Sequence, residues 1–527
     1  MNVDRVKVTE PIYRGKADQK IKTPVTVILL ETWNVNSKFK FQPISENKTH
    51  SVKEKKMNAF VNAIANQEAR TTNGMKARKS TANSVVDLFY NIGASRGKNI
   101  IPAFTAAYVQ DKDLALRVAL WARDARGGAG ERQLFRDILS YLEKHDPEAA
   151  ARLLVKIPEV GRFDDLFVFK DKDLKAKAYS LLGDNLRAKN GLAAKWTPRK
   201  GEVAREIREF FGMTPKQYRK QLVAMTKVVE TQMCANDWDN INYSHVPSQA
   251  SRIYKKAFNR HSTTFAEYVA KLVSGDKTVK VNASAVFPHE VLKGLISAYG
   301  RSTLGKTELD HVTAQWDALP NYMNDANILP LVDVSGSMSC PAGGTGSVTC
   351  LDVSVSLGLY LADKNKGAFK DTFLTFSGTP ELLTLKGDIV QKINQMVQSK
   401  WAMDTNLHKA MDKILSVAVK NSVPESDMPK MLLILSDMQF NQCVTHDDSA
   451  MEMIQRKYEA AGYTAPSVVF WNLNSSGNAP VKSDKSGAAL VSGFSPSIMA
   501  SLLGADPSEF TPEGVMMKTI MSYRYNC

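Results

Sequence analysis

Asp333-Val334-Ser335-Gly336-Ser337 sets three oxygen-bearing side chains at alternate positions of one short segment. Such spacing lets a carboxylate and two hydroxyls turn toward one point from a tight loop, and donors of this kind suit a hard cation such as Mg²⁺, directly or through water. Thr405, in the polar stretch before an apolar-periodic segment, and Asp437, ending the run Leu432-Leu433-Ile434-Leu435-Ser436, stand in comparable settings. Asp333, Ser335, Ser337, Thr405 and Asp437 are therefore the candidate metal ligands.

A second constellation is cationic. Across Pro247 to Asn259, Ala250, Ile253, Tyr254, Ala257 and Phe258 fall at i, i+3, i+4, i+7 and i+8, which predicts one buried stripe on a helix entered through a Ser248 cap. Arg252, Lys255 and Lys256 then project away from that stripe toward water, and Arg260 and His261 follow, a spacing that can track phosphates. Arg123, Arg126, Arg132 and Arg136 surround the glycine-rich turn Gly127-Gly128-Ala129-Gly130. That turn could hold an anion, or the arginines could instead pair with Asp124, Glu131 and Asp137.

Gly300-Arg301-Ser302-Thr303-Leu304-Gly305-Lys306-Thr307 satisfies the phosphate-loop pattern and keeps an NTP-binding alternative open. That loop requires a preceding strand, however, whereas Leu292, Leu295, Ile296 and Tyr299 fall at helical spacing over Val291 to Tyr299. No HExxH, GxSxG or Cys/His arrangement signals catalysis, so no enzymatic activity is expected. The five cysteines, Cys234, Cys340, Cys350, Cys443 and Cys527, are odd in number and contain no CxxC pair, which excludes a disulfide framework and fits a reducing, cytoplasmic setting. Cys340, Cys350 and Cys443 could lie near one another.

These residues need elements to hold them, and the chain of 527 residues is long enough for several domains. Residues 1–56 read as a basic N-terminal extension of undefined role. From residue 57 to 320 helical signals dominate, as over Ser80 to Asn91, Asp113 to Ala125, Glu131 to Glu143, Asp171 to Lys189 and Pro215 to Val229. No exact repeat appears, which predicts an irregular α-helical, HEAT-like solenoid. From 321 to 527 the texture changes to short apolar runs separated by helical stretches. Ile328 to Asp333, Thr372 to Ser377, Met431 to Asp437 and Ser467 to Asn472 are predicted strands; Leu351 to Asp363, Leu407 to Val419 and Ala450 to Ala461 are predicted helices. The alternation predicts a doubly wound, Rossmann-like α/β domain with its ligands at the carboxyl ends of the strands.

The net charge of +15 divides unevenly between these halves. Residues 321–527 carry 16 basic and 20 acidic residues, net −4, against 53 and 34 before them, net +19. The basic half therefore calls for a polyanion. Nucleic acid fits better than a membrane surface, because no strongly apolar face accompanies the charge and no apolar run approaches a membrane span.

The DxSxS segment with Thr405 and Asp437 resembles the metal-ion-dependent adhesion site of von Willebrand factor A domains. That resemblance spans roughly residues 322–500. It implies a cation bound directly by Ser335, Ser337 and Thr405 and mostly through water by Asp333 and Asp437, with one position open for a partner protein's carboxylate. In the first half, Arg123-Asp124-Ala125-Arg126-Gly127-Gly128-Ala129-Gly130-Glu131-Arg132, Gly161-Arg162-Phe163-Asp164-Asp165-Leu166, Lys195-Trp196-Thr197-Pro198-Arg199 and Tyr243-Ser244-His245-Val246-Pro247-Ser248 resemble the TROVE module of Ro ribonucleoproteins. The order and spacing most resemble a phage, plant and fungal group of TROVE-like chains that also end in a von Willebrand A domain.

Ro proteins are helical rings closed by that domain, and they bind misfolded small RNAs by their single-stranded ends and on a basic outer face. The resemblance thus implies an RNA-binding protein and makes His245 a candidate contact. This sequence carries Val228 and Gln232 where the family has basic residues. Three functions follow as expectations: a Ro-like RNA-binding protein with a Mg²⁺ site, an interaction adaptor that captures a partner's carboxylate, and an NTP-binding protein using Gly300 to Thr307.

Overall fold

The computed structural model describes residues 68–296, 304–323, 327–344, 346–376, 379–399, 406–440, 450–475, 477–504 and 510–527. Thr405, Cys443 and Gly300 to Thr303 lie outside the described residues, as does the whole 1–56 extension. The described residues all belong to one compact unit.

A small antiparallel ribbon comes first, β1 (Glu68–Arg70) and β2 (Lys76–Arg78). Helices follow at Ser84–Ile92, Ile101–Gln110, Lys112–Arg123, Arg132–His145, Pro147–Leu154 and Lys172–Arg187, each packed on its neighbours. Their starts are written in capping residues: Asn83, Asp111, Asp146 and Asp171 each accept a backbone N–H of the first turn. Shorter helices continue to Ser248–His261 and Thr264–Val273, which enclose a satellite core of Tyr243, Phe258, Phe265 and Tyr268. The helix expected over 291–299 does not form in its described part, 291–296, and 297–299 lie outside the described residues. Pro288–Val291 is a single helical turn, followed by irregular turns as far as Ile296. Gly294 at φ +93°, conformationally foreign to a helix, accounts for the break.

The sheet has six strands: β3 (Ile328–Val332), β4 (Thr372–Thr375), β5 (Leu382–Thr384), β6 (Met431–Ser436), β7 (Ser467–Asn472) and β8 (Ala488–Ser492). Their order is β5-β4-β3-β6-β7-β8, parallel except for β5. β3, β6 and β8 are buried along their whole length, the signature of a sheet covered on both faces. After β3 the chain moves to β4 on one side, and β6 then joins β3 on the other. The order reverses between β3 and β6, and their carboxyl ends frame the crevice where open α/β sheets take ligands.

The helical half and the sheet share their core. The Ser84–Ile92 helix packs on β8, and two of its last four carbonyls accept bonds from the sheet: Ser492 Oγ donates to Phe89 O (3.0 Å) and Asn472 Nδ2 to Tyr90 O (3.4 Å). Gly93 makes this approach possible, because a Cβ there would lie 2.8 Å from the Ser492 carbonyl oxygen. Arg78 and Ala479 exchange backbone hydrogen bonds of 2.9 and 2.8 Å. Among the described residues no helix is long and apolar enough to cross a membrane.

Candidate functional site

Parallel pairing of β3 with β6 places Val332 opposite Leu435, so the next residues, Asp333 and Ser436, emerge side by side at the carboxyl edge. Ser436 Oγ donates to Asp333 Oδ2 (2.6 Å) and the Ser335 N–H donates to Oδ1 (2.9 Å). Ser335 and Ser337 hydroxyls lie 3.1 Å apart, and the Gln439 N–H reaches Asp437 Oδ1 at 3.2 Å. Four of the five expected metal ligands thus converge, while Thr405 lies outside the described residues.

The electrostatics of this cluster matter more than its hydrogen bonds. Asp333 is fully buried and Asp437 is 4% exposed, yet among the described residues neither forms an ion pair with a Lys or Arg. Burial first, then the Asp437 charge, pushes the Asp333 carboxyl up to about 6, and burial raises Asp437 as well. Two like charges drawn out of water with no cationic side chain form an anionic hole. Ser337 is exposed, so the hole opens to solvent on its hydroxyl side. The donor set, all oxygen, suits a hard cation, although among the described residues no three His, Cys, Asp or Glu side chains gather.

The cationic candidates are dispersed. Lys256 and Arg260 are exposed, one turn apart on the Ser248–His261 helix, with no ion pair among the described residues. Arg252 is half-buried and donates from Nε to Gln249 Oε1 (3.1 Å). His245 is exposed in the turn Tyr243–His245. Two expectations for this helix fail. Ile253 is 55% exposed, and Lys255 is drawn inward with its Nζ on the Arg252 carbonyl (3.2 Å). The cause is a rotation of the buried face toward Ser251, whose hydroxyl meets His311 Nε2 at 2.9 Å on the Lys306–Asp317 helix. Burial, with Lys255 nearby, holds the His311 imidazole down at about 4, hence neutral. The cap is also displaced: Pro247 occupies it, and buried Ser248 is the first helical residue.

Arg123 requires the plainest correction. It is 4% exposed and locked to fully buried Asp165 (Nε to Oδ2, 2.7 Å), which Arg136 also engages at 2.6 Å, so it offers nothing to an incoming phosphate. Arg126 and Arg132 do face solvent. The glycine-rich turn between them serves packing, since a Cβ at Gly128 would meet the Trp121 carbonyl oxygen at 1.8 Å. Its own Asp124 already accepts the Arg126 N–H, and Glu131 pairs with Arg96 at 2.5 Å rather than with the neighbouring arginines. For Gly305 to Thr307, no strand leads in among the described residues, and Glu308 accepts the Gly305 N–H at 3.3 Å.

The class defined by these observations is a helical array joined through a common core to a doubly wound, largely parallel sheet with an acidic, hydroxyl-rich carboxyl edge. Within that class, residues 71–161 and 186–329 match the family described as Domain of unknown function (DUF2828), and residues 327–520 match Domain of unknown function (DUF7788). The chain is 28% identical to Uncharacterized protein L728 of Acanthamoeba polyphaga mimivirus over 523 residues, 86% of this chain and 88% of that protein. The crystal structure of the Deinococcus radiodurans RO (RSR) protein aligns with a TM-score of 0.35 and 14% identity, over 83% of this chain and 93% of that one.

Proposed function

We propose that this chain is a Ro-like RNA-binding protein that recognises small or misfolded noncoding RNA through its helical half and carries a Mg²⁺ or similar divalent cation in an adhesion-type site of a von Willebrand A-like domain. The observation that carries the RNA reading is the exposed pair Lys256 and Arg260, cations without acidic partners among the described residues, in the half that bears the entire positive excess. Single-stranded ends and irregular structure fit such a surface better than a read sequence does.

The metal reading rests on the buried, unneutralised Asp333 and Asp437 beside Ser335 and Ser337. Asp333, Asp437, Ser335 and Ser337 would hold a cation that would supply positive charge, and the exposed Ser337 side would leave room for a partner's carboxylate, which supports the adaptor as a second reading. Binding rather than catalysis is the proposed role. The test is titration of the full chain against single-stranded and duplex RNA at increasing salt. Micromolar or tighter affinity that falls with salt is expected, and absence of binding at 50 mM salt would refute the RNA reading.

A further inference from the structure

Cys340 and Cys350 face each other across the loop that follows the DxSxS segment, with their sulfurs 3.5 Å apart. The loop is closed as a short antiparallel ladder. Pro341 bridges Thr349, the Cys350 N–H donates to Cys340 O (3.0 Å), and the Ala342 N–H donates to Val348 O (2.8 Å). In that register the two cysteines are directly opposite, and such pairs hold their Cα atoms roughly 5.5 Å apart, within the span a disulfide bridges.

We propose that Cys340 and Cys350 are a reversible dithiol/disulfide couple, oxidised by hydroperoxides, that clips the loop downstream of Ser337. Cys340 is the attacking sulfur, because it is partly exposed whereas Cys350 is buried. It also sits in surroundings that stabilise a thiolate. Asn474 Nδ2 points to its Sγ at 3.4 Å, and Lys98, hydrogen-bonded to Asn474 Oδ1 at 3.0 Å, brings positive charge close.

The chemistry balances in two steps. Cys340 sulfur attacks one peroxide oxygen, the O–O bond breaks, the sulfur loses two electrons to become a sulfenic acid, and the thiol proton ends on the departing alkoxide as an alcohol. Cys350 sulfur then attacks the sulfenic sulfur, an S–S bond forms, the S–O bond breaks, and hydroxide leaves as water with the Cys350 proton. Added thiol reverses the second bond by exchange. The anchor points are firm on both sides: Cys350 begins the Cys350–Lys364 helix, and Gly343 fits against Arg96 where a Cβ would approach within 2.6 Å.

The experiment treats the reduced full chain with a few equivalents of hydrogen peroxide, alkylates the remaining thiols, and maps peptides by mass. No Lys or Arg lies between the two cysteines, so one tryptic peptide carries both. Its loss of two hydrogens and of both alkyl groups, restored by dithiothreitol and ahead of oxidation at exposed, isolated Cys234, is the expected result. Cys350→Ser should instead leave Cys340 trapped as a dimedone-reactive sulfenic acid, and Cys340→Ser should leave Cys350 reduced. Separate alkylation of both cysteines after peroxide, sulfinic acid at Cys340 with Cys350 still reduced, or a bridge to Cys443 would each overturn the proposal. None of these readouts depends on metal or RNA.

Discussion

Arg524 clasps Asp124 across 400 residues of chain, with Nη2 donating to Oδ1 at 3.0 Å and Nε donating to Oδ2, while the Tyr525 hydroxyl adds a third bond at 3.2 Å. Asp124 is fully buried, and its backbone carbonyl also accepts Gly128 and Gly130 N–H groups of the glycine-rich turn. The end of the chain is thus part of the helical half. Arg524→Ala should cost about 2–4 kcal/mol, a little under the usual penalty for orphaning a buried charge because Arg524 is itself partly exposed. Tyr525→Phe should cost about 1 kcal/mol. Denaturant midpoints of the full chain give both numbers, and a neutral Arg524→Ala would show that the clasp is dispensable.

Magnesium should stabilise the protein, and Asp333 should be the reason. At a hundredfold excess over the dissociation constant the gain is about 2.7 kcal/mol, seen as a raised Tm. Asp333→Asn should abolish that gain. Without Mg²⁺ the same variant should be as stable as wild type or more so, because it removes a buried carboxylate held against Asp437. Calorimetric titration and melting curves with and without Mg²⁺ test the point. An unchanged Mg²⁺ response in Asp333→Asn would rule out the site.

Acid should find a weak point at Asp146. Its carboxylate receives Lys112 Nζ (2.6 Å), the Ala149 N–H (3.0 Å) and the Tyr108 hydroxyl (2.7 Å), and these hold it down at about 2, with Lys112 foremost. A depressed carboxyl contributes stability that is complete above the unfolded value near 4 and is lost as pH falls toward 2. Asp146→Ala should therefore cost about 1 kcal/mol at pH 7, the size of a lost helix cap beside a solvent-screened ion pair, and distinctly less at pH 3. Urea unfolding at the two pH values measures the difference, and equal penalties would leave the carboxylate's charge without effect.

β3, β6 and β7 were legible because strands buried on both faces must be continuously apolar, and Asp333 and Asp437 because polar residues that end such runs mark the carboxyl edge. β5 was not, being three residues long and mostly exposed, with no alternation to betray it. β8 is less legible, because no crossover helix separates it from β7 and its cover comes from Ser84–Ile92, far back in the chain, and from the later Pro512–Ile520. Periodicity predicts the Ser248–His261 helix but not its rotation, which goes with long-range polar contacts to the Lys306–Asp317 helix, Ser251 with His311 and the Ser248 carbonyl with Gln315. Nor can local spacing reveal that Arg123 meets Asp165, 42 residues on. The Arg, Asp and Gly string there encodes a packed, charge-paired junction.

That shared junction changes how the division of charge must be tested. A fragment ending near Pro320 would strip the Ser84–Ile92 helix of β8 and leave Phe89 and Tyr90 uncovered, so loss of RNA binding by the fragment would report unfolding. Substitutions in the whole chain avoid this. Lys256→Ala with Arg260→Ala touches two exposed side chains and should keep the fold, while flattening the slope of log K against log salt by about 1.4, at ~0.7 per phosphate contact on a single strand. Lys255→Ala should act mainly on the helix interface, lowering the melting temperature with the salt slope unchanged. Arg123→Ala should destabilise by about 2–4 kcal/mol, since buried Asp165 loses one partner and keeps Arg136. A folded Lys256/Arg260 double variant with wild-type affinity and slope would withdraw this helix from the RNA surface and pass the role to Arg126 and Arg132, the exposed arginines beside the glycine-rich turn.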